Sequence, residues 1–241
     1  MTIQKLSILV PCFNEECMVT VMLSRLISIN LVQEIKKEII IVDDCSTDKS
    51  GELILQFMGK NEQVDIKYIK HEYNRGKGAA IQTAIKNSTG EIIIIQDADL
   101  EYDPIEYNKL LKPILEGHAD VVYGSRFRGS DAHRVLFFWH TFGNKILTFW
   151  SNVFTGLNLS DIETGYKMVK TDILKSICLK ENRFGFEPEV TAKLSRIKNI
   201  RFYEVGISYY GRNYNEGKKI GWRDGFRALW CIFKYNIISR N

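Results

Sequence analysis

The chain has 241 residues, 45% of them hydrophobic, with 33 Lys/Arg against 29 Asp/Glu for a net charge of +4. That is enough apolar material for one large domain with a sizeable core. The five cysteines form no Cys-x-x-Cys pair, which argues against a zinc site and points to a reducing compartment. No uncharged apolar run reaches the ~18 residues of a spanning helix, and the first residues lack a secretory signal pattern.

In chain order, 6–10 read as a strand and 15–28 as a helix. A strand over 38–42 and a helix over 47–58 follow, then a strand over 65–69 and a helix over 76–87. The run 91–96 is the fourth strand, 104–116 a helix, and 119–123 a short strand. Strands alternating with helices imply right-handed βαβ units and an α/β fold with a mostly parallel sheet. No repeat or linker divides the chain.

After Arg126 the texture changes. Residues 135–157 carry Phe137, Phe138, Trp139, Phe142, Phe149, Trp150 and Phe154, preceded by His133 and Arg134 and interrupted by His140, Asn144 and Lys145. Residues 222–238 repeat the theme, with Trp222, Phe226, Leu229, Trp230 and Phe233 at helical spacing among Arg223, Arg227 and Lys234. Each segment reads either as a core helix or as an amphipathic helix in a membrane interface. From Arg196 onward ten basic residues face three acids, so that end carries +7 and the remainder −3. A cationic end suits a phosphorylated ligand or an anionic membrane surface, and equally an ordinary solvated face.

The most informative stretch is Glu91-Ile92-Ile93-Ile94-Ile95-Gln96-Asp97-Ala98-Asp99. Four isoleucines read as a strand buried on both faces, and ligands of such sheets bind beyond the carboxyl ends of the strands. Two carboxylates there suit a divalent cation, which in turn suits a diphosphate. The plainer reading is an Asp-rich turn, with Asp103-Pro104 starting the next helix.

Three further pieces sit at other strand ends. Pro11-Cys12-Phe13-Asn14-Glu15 offers Phe13 as a flat surface for a base and Glu15 for a ribose or base edge; it also reads as a turn into an acidic helix start. Asp43-Asp44-Cys45-Ser46-Thr47 places two acids where burial is costly unless they are bonded. Ser46 or Thr47 is expected to cap the following helix. Asn74-Arg75-Gly76-Lys77-Gly78 brings glycine N–H groups and a lysine to a helix start, a phosphate-binding pattern, though not a Walker A loop.

In this order the four pieces resemble family 2 glycosyltransferases of the inverting GT-A class, over essentially the whole chain. The closest likeness is to the dolichyl- and polyprenyl-phosphate sugar synthases. Gly124-Ser125-Arg126, Asp161-Ile162-Glu163-Thr164-Gly165-Tyr166-Lys167 and Phe186-Glu187-Pro188-Glu189 support that branch. The resemblance implies a single GT-A domain, with a nucleotide-sugar half over 1–125 and an acceptor half over 126–241. It implies that Pro11, Phe13, Glu15, Asp43, Asp44, Lys77 and Ala98 hold the nucleotide sugar, with Asp44 preferred over Asp43 for the base. Asp97 and Asp99 would hold Mg²⁺ or Mn²⁺, with Glu101 as a third acid where several mannose synthases have Gln. Arg126 is the first candidate for an acceptor phosphate, followed by Arg134, His140, Arg212 and Lys218. Mannose synthases often carry Arg and Ser where this chain has Leu136 and His140.

The implied reaction is direct displacement at the anomeric carbon by a lipid phosphate. The donor would be UDP-glucose or GDP-mannose, and the acceptor undecaprenyl or dolichyl phosphate. The expected setting is the cytoplasmic face of a membrane, peripherally bound, with no nucleic-acid partner and with homo-oligomerisation left open. Transfer to a glycan hydroxyl is the alternative, and would need Glu163 or Glu187 as base; a non-catalytic nucleotide-sugar-binding protein is a third.

Overall fold

The computed structural model describes residues 3–129, 138–211 and 222–239. All five strands expected from the sequence form: β1 (Lys5–Cys12), β2 (Lys36–Asp43), β3 (Ile66–Lys70), β4 (Ile92–Ile95) and β5 (Val121–Ser125). Between them lie α1 (Val19–Ser28), α2 (Ser50–Lys60), α3 (Lys77–Asn87) and α4 (Tyr107–Leu115). Beyond residue 126 come α5 (Phe138–Thr155), β6 (Lys167–Lys170), α6 (Thr171–Ser176), α7 (Phe186–Leu194), β7 (Phe202–Gly206) and α8 (Trp222–Phe233), which runs into a π-helical turn at Lys234–Ile238.

The seven strands make one sheet, ordered β3-β2-β1-β4-β6-β5-β7. Pairing is parallel except at β6, which runs antiparallel to both β4 and β5. Side-chain alternation builds two cores. Leu6, Ile8, Ile39, Ile41, Ile92 and Ile94 face α1, α2 and α4. Leu9, Ile40, Val42, Ile93 and Ile95 face α3 and α7. The four isoleucines of β4 are therefore buried on both faces, each contributing about 1.5–3 kcal/mol of burial.

Two helix starts differ from expectation, for one reason. The loop after β1 and the loop after β2 are laced together. Asn14 N donates to Ser46 Oγ at 3.0 Å, Glu15 N to Ser50 Oγ at 2.7 Å and Glu16 N to Asp48 Oδ2 at 3.1 Å. In return Thr47 N donates to Asn14 Oδ1 at 2.8 Å and Lys49 N to Glu16 Oε2 at 3.0 Å. Helix α1 therefore begins at Val19 rather than at residue 15, and neither Ser46 nor Thr47 caps α2. Asp103 does cap its turn, accepting from Ile105 N at 3.1 Å.

At the amino-terminal ends of the strands, Glu38 of β2 ties four segments together. Fully buried, it accepts from Ser7 Oγ (2.6 Å), Lys67 Nζ (2.6 Å), and Thr89 N and Oγ1 (2.9 and 2.8 Å). Burial alone would raise its pKa from 4.5, but the bonds from Lys67, Ser7 and Thr89 hold it down to about 2. A depressed carboxylate contributes stability that is present above its unfolded value and lost as pH falls through its folded value. Glu38→Gln is expected to cost about 2–3 kcal/mol at pH 7. In thermal melts against pH, the gap between variant and parent should close between about pH 4.5 and 2.

Candidate active site

The carboxyl ends of β1, β2 and β4 open on a cavity of about 860 Å³. It is lined by Pro11, Phe13 and Glu15 after β1, Asp44 after β2, and Asp97, Ala98, Asp99 and Glu101 after β4. Lys77, Arg126 and His140 reach it as well. Asp43, expected among these residues, does not. Fully buried, its carboxylate accepts from Ser46 N and Tyr68 OH, both at 2.8 Å. Arg134, Arg212 and Lys218 lie outside the described residues.

The glycine turn is occupied by a carboxylate of the protein itself. Arg75 N and Gly76 N donate to Asp44 Oδ1 and Oδ2 at 2.9 and 2.6 Å, and His71 Nδ1 lies 2.7 Å from Oδ1. The backbone groups expected to meet a phosphate thus hold Asp44, and Asp44 fixes the start of α3. Gly76 sits at φ +99, and a Cβ there would strike Asn182 O; only glycine fits.

Lys77 then projects from the first turn of α3 into the cavity. Its ammonium lies 2.9 Å from Asp97 Oδ1 and 3.2 Å from Glu187 Oε1, on α7. Burial would lower its pKa, but Asp97 and then Glu187 raise it above the ordinary lysine value. Asp97 is positioned from below by a tyrosine cluster. Tyr107 OH and Tyr166 OH both donate to Gln96 Oε1 at 2.6 Å, and Gln96 Nε2 donates to Asp97 O at 3.0 Å. Tyr102 stacks on Tyr166 and receives Gly165 N at 3.0 Å. A Cβ on Gly165 would come within 2.8 Å of Asp97 Oδ2.

Asp99 Oδ1 accepts from Glu101 N at 3.0 Å, and Glu101 Oε2 accepts from Tyr209 OH at 2.9 Å. The expected three-acid metal set is not assembled. Among the described residues no group of three or more His, Cys, Asp or Glu is arranged to hold an ion. Two carboxylates at the cavity wall still fit Mg²⁺ or Mn²⁺, whose remaining ligands would be water and diphosphate oxygens. Arg126 is engaged: its Nε and Nη2 donate to Asp161 at 2.7 and 2.8 Å, and its guanidinium lies over the Tyr209 ring.

Two acids outside the cavity lining support the site as tertiary partners: Asp161, which opens the 161–167 motif, holds Arg126, and Glu181, which no local pattern marks, holds α8. The Glu181 carboxylate accepts from Arg227, Lys234 and Tyr235 at 2.6, 2.9 and 2.7 Å. The Glu181 and Asn182 carbonyls accept from Gln82 Nε2 and Ala79 N of α3. The C-terminal helix α8 is therefore joined to the lysine-bearing turn. Glu163 lines the cavity with Oε1 buried and unpartnered, and so is Glu187 Oε2. Burial, then the Glu187 charge, push the Glu163 carboxyl up from 4.5 to about 7. A raised carboxyl contributes stability below its unfolded pKa that is lost as pH rises through its folded pKa. Glu163→Gln should therefore raise Tm at pH 8, by roughly 3 °C or more, and have little effect near pH 4.5, as read by thermal melts at the two pH values.

Residues 7–178 match the model of glycosyl transferase family 2. An uncharacterized protein of Methanocaldococcus jannaschii is 29% identical over 95% of this chain and 91% of its own length. The dodecaprenyl-phosphate galacturonate synthase of Rhizobium johnstonii is 26% identical over 89% of this chain, which spans 61% of that protein. A dolichyl-phosphate beta-glucosyltransferase of Dictyostelium discoideum is 27% identical over 85%, with 66% of its own length covered. Among solved structures, glucosyl-3-phosphoglycerate synthase from Mycobacterium tuberculosis, in complex with Mn²⁺, UDP and phosphoglyceric acid, superposes with a TM-score of 0.71. It covers 97% of this chain and 79% of that one at 16% identity, a likeness of fold. With the family model spanning well over half of its length and the sheet of that fold complete, the chain belongs to glycosyl transferase family 2, a glycosyltransferase of the GT-A architecture.

Proposed function

We propose that this glycosyltransferase moves a hexose from a nucleoside diphosphate sugar to a polyprenyl phosphate. The observation that carries the reading is the mixed lining of one cavity: Asp97, Asp99, Lys77 and Glu187 line it, and so do Trp139, Ile146 and Leu147 of α5 and Phe226 and Leu229 of α8. Acidic side chains suit a cation and a diphosphate, and an apolar helical wall suits a prenyl chain. Relatives named as polyprenyl-phosphate sugar transferases support the acceptor class.

Asp97 and Asp99 would hold Mg²⁺ or Mn²⁺, which when bound neutralises the departing diphosphate. Lys77, whose ammonium lies beside Asp97 and Glu187, would lend its charge to the diphosphate oxygens. Phe13 and Glu15 lie at the nucleoside end, and UDP-glucose and GDP-mannose are the donors to try first. Arg126 and His140 face the acceptor, within the half of the chain after residue 125. A phosphate oxygen attacks the anomeric carbon, the bond to the diphosphate breaks, and the configuration inverts. Being anionic already, the acceptor needs no strong base. One observation favours transfer to a hydroxyl instead: Glu163 lines the cavity with a buried, unpartnered Oε1, open to act as a general base. The apolar wall tips the balance to the lipid.

Membrane contact belongs to the same reading. Among the described residues no helix is long and apolar enough to cross a bilayer. Helices α5 and α8 pack together through Trp150, Phe154 and Phe233. They leave Phe138, Trp139, Phe142, Phe149, Phe226 and Trp230 exposed. Such a surface fits a peripheral enzyme seated in the headgroup region of the inner membrane face.

With labelled nucleotide sugars, a short polyprenyl phosphate and a water-soluble glycan acceptor, label should enter the lipid only when Mn²⁺ or Mg²⁺ is added. Asp99→Ala should reduce that transfer at least about 100-fold; undiminished transfer would remove the metal role, and label in the glycan alone would assign the hydroxyl acceptor. In flotation with anionic phospholipid vesicles, the double variant Phe149→Ser/Trp230→Ser should bind at least about tenfold more weakly than the parent. Equal flotation would count against the interfacial placement.

A further inference from the structure

Helix α8 and the π-helical turn after it grip Glu181, and Glu181 in turn grips α3. The Glu181 carboxylate is buried and accepts from Arg227 Nη2, Lys234 Nζ and Tyr235 OH. Its carbonyl accepts from Gln82 Nε2 at 2.9 Å, and the Asn182 carbonyl accepts from Ala79 N at 3.0 Å. Ala79 N is a first-turn donor of α3, which the helix itself leaves without an acceptor. Packing around this segment is close on both sides. A Cβ on Gly76 would strike Asn182 O, one on Gly78 would strike Glu181 O, and one on Gly185 would come within 2.5 Å of Cys231 Sγ on α8. The two glycines flanking Lys77 thus make room for the protein's own backbone. Glu189 of α7, fully buried, ties the segment off by accepting from Lys180 N and Glu181 N at 2.8 and 2.7 Å.

We infer that Glu181 is a positioning residue for the donor site: it clamps α8 to the first turn of α3 and so fixes Lys77 between Asp97 and Glu187. The inference rests on the nucleotide-sugar reading above and goes beyond it, making affinity for a nucleoside diphosphate depend on side chains that never reach the nucleotide. Lys77 is held from two directions. On one side Asp44 takes the N–H groups of Arg75 and Gly76. On the other, the Glu181 and Asn182 carbonyls take Gln82 and Ala79. Glu187, the second partner of the ammonium, lies on the helix that Glu189 ties to this same segment. A buried carboxylate is compensated only while its cations are in place, and removing one of them loosens the whole contact. Arg227, Lys234 and Tyr235 do not line the cavity, so an effect of theirs on a nucleotide passes through Glu181.

The test is calorimetric binding of UDP and of GDP to the full chain with Mn²⁺, without lipid, at a temperature where melts show each variant folded. Glu181→Gln should weaken the better-bound diphosphate about tenfold or more, and Arg227→Met about threefold or more. Arg227 is half exposed, so its variant carries the test should Glu181→Gln not fold. Lys77→Ala supplies a second readout, which a merely structural role would not move. Adding Arg227→Met or Glu181→Gln to Lys77→Ala should cost less than about twofold further, because the group being positioned is already gone. A lowered Tm with unchanged diphosphate affinity in both single variants would overturn the inference. So would a full-sized further loss in the Lys77→Ala background. Failure of the parent to bind either diphosphate would overturn the underlying nucleotide-sugar reading instead, a distinct outcome.

Discussion

The Lys77 ammonium, held between Asp97 and Glu187, is the interaction on which the cavity depends. Several acids converge there, and two carboxylates sharing a low-dielectric site cannot both ionise without a counter-charge. One buried cation lets Asp97 and Glu187 coexist. Glu163, which has no such partner, carries the cost as a raised pKa. The placement of Lys77 is in turn set by Asp44, whose carboxylate grips the two backbone N–H groups just before it.

Each strand-end segment therefore builds the next. The β1 and β2 loops exchange hydrogen bonds residue for residue. The β2 acid organises the glycine turn, and the glycine turn supplies the cation for the β4 acid. Below them, Gln96 and its tyrosines hold the backbone of Asp97. Through Glu181 the chain of contacts continues to α8. Helix α3, which carries Lys77, and helix α8, which also lines the cavity, are thereby joined through one short segment.

Much of this was legible in the residues. The isoleucine run of β4 announced a doubly buried strand, and the ordered acids after β1, β2 and β4 announced where the cavity would be. Helix starts were less legible, because the side chains of Ser46, Ser50 and Asp48 take N–H groups that a periodicity reading assigns to a helix. Strands β6 and β7 escaped for different reasons. β6 is four residues long and bounded by lysines, one of them buried through bonds to backbone carbonyls that no hydropathy pattern reveals. β7 is only partly buried along its length. Asp43 looked like a ligand residue, but Tyr68 and Ser46 satisfy it inside the fold. Pairings such as Arg126 with Asp161 join positions 35 apart in the chain, beyond the reach of local spacing.

The antiparallel insertion of β6 between β4 and β5 constrains how the chain can be assembled. Until β6 arrives, the four isoleucines of β4 have β1 on one side and an open ladder on the other, and β5 has neither β6 nor β7 to pair with. An unpaired edge made wholly of isoleucine is a template for self-association. The nascent polypeptide thus reaches the ribosome exit with its stickiest segment uncovered for more than a whole helix's worth of synthesis. A fragment cut after β5 would inherit the same exposure permanently. Separate expression of the front half should be treated as an invitation to aggregation, even though every acid of the β4 terminus lies within it.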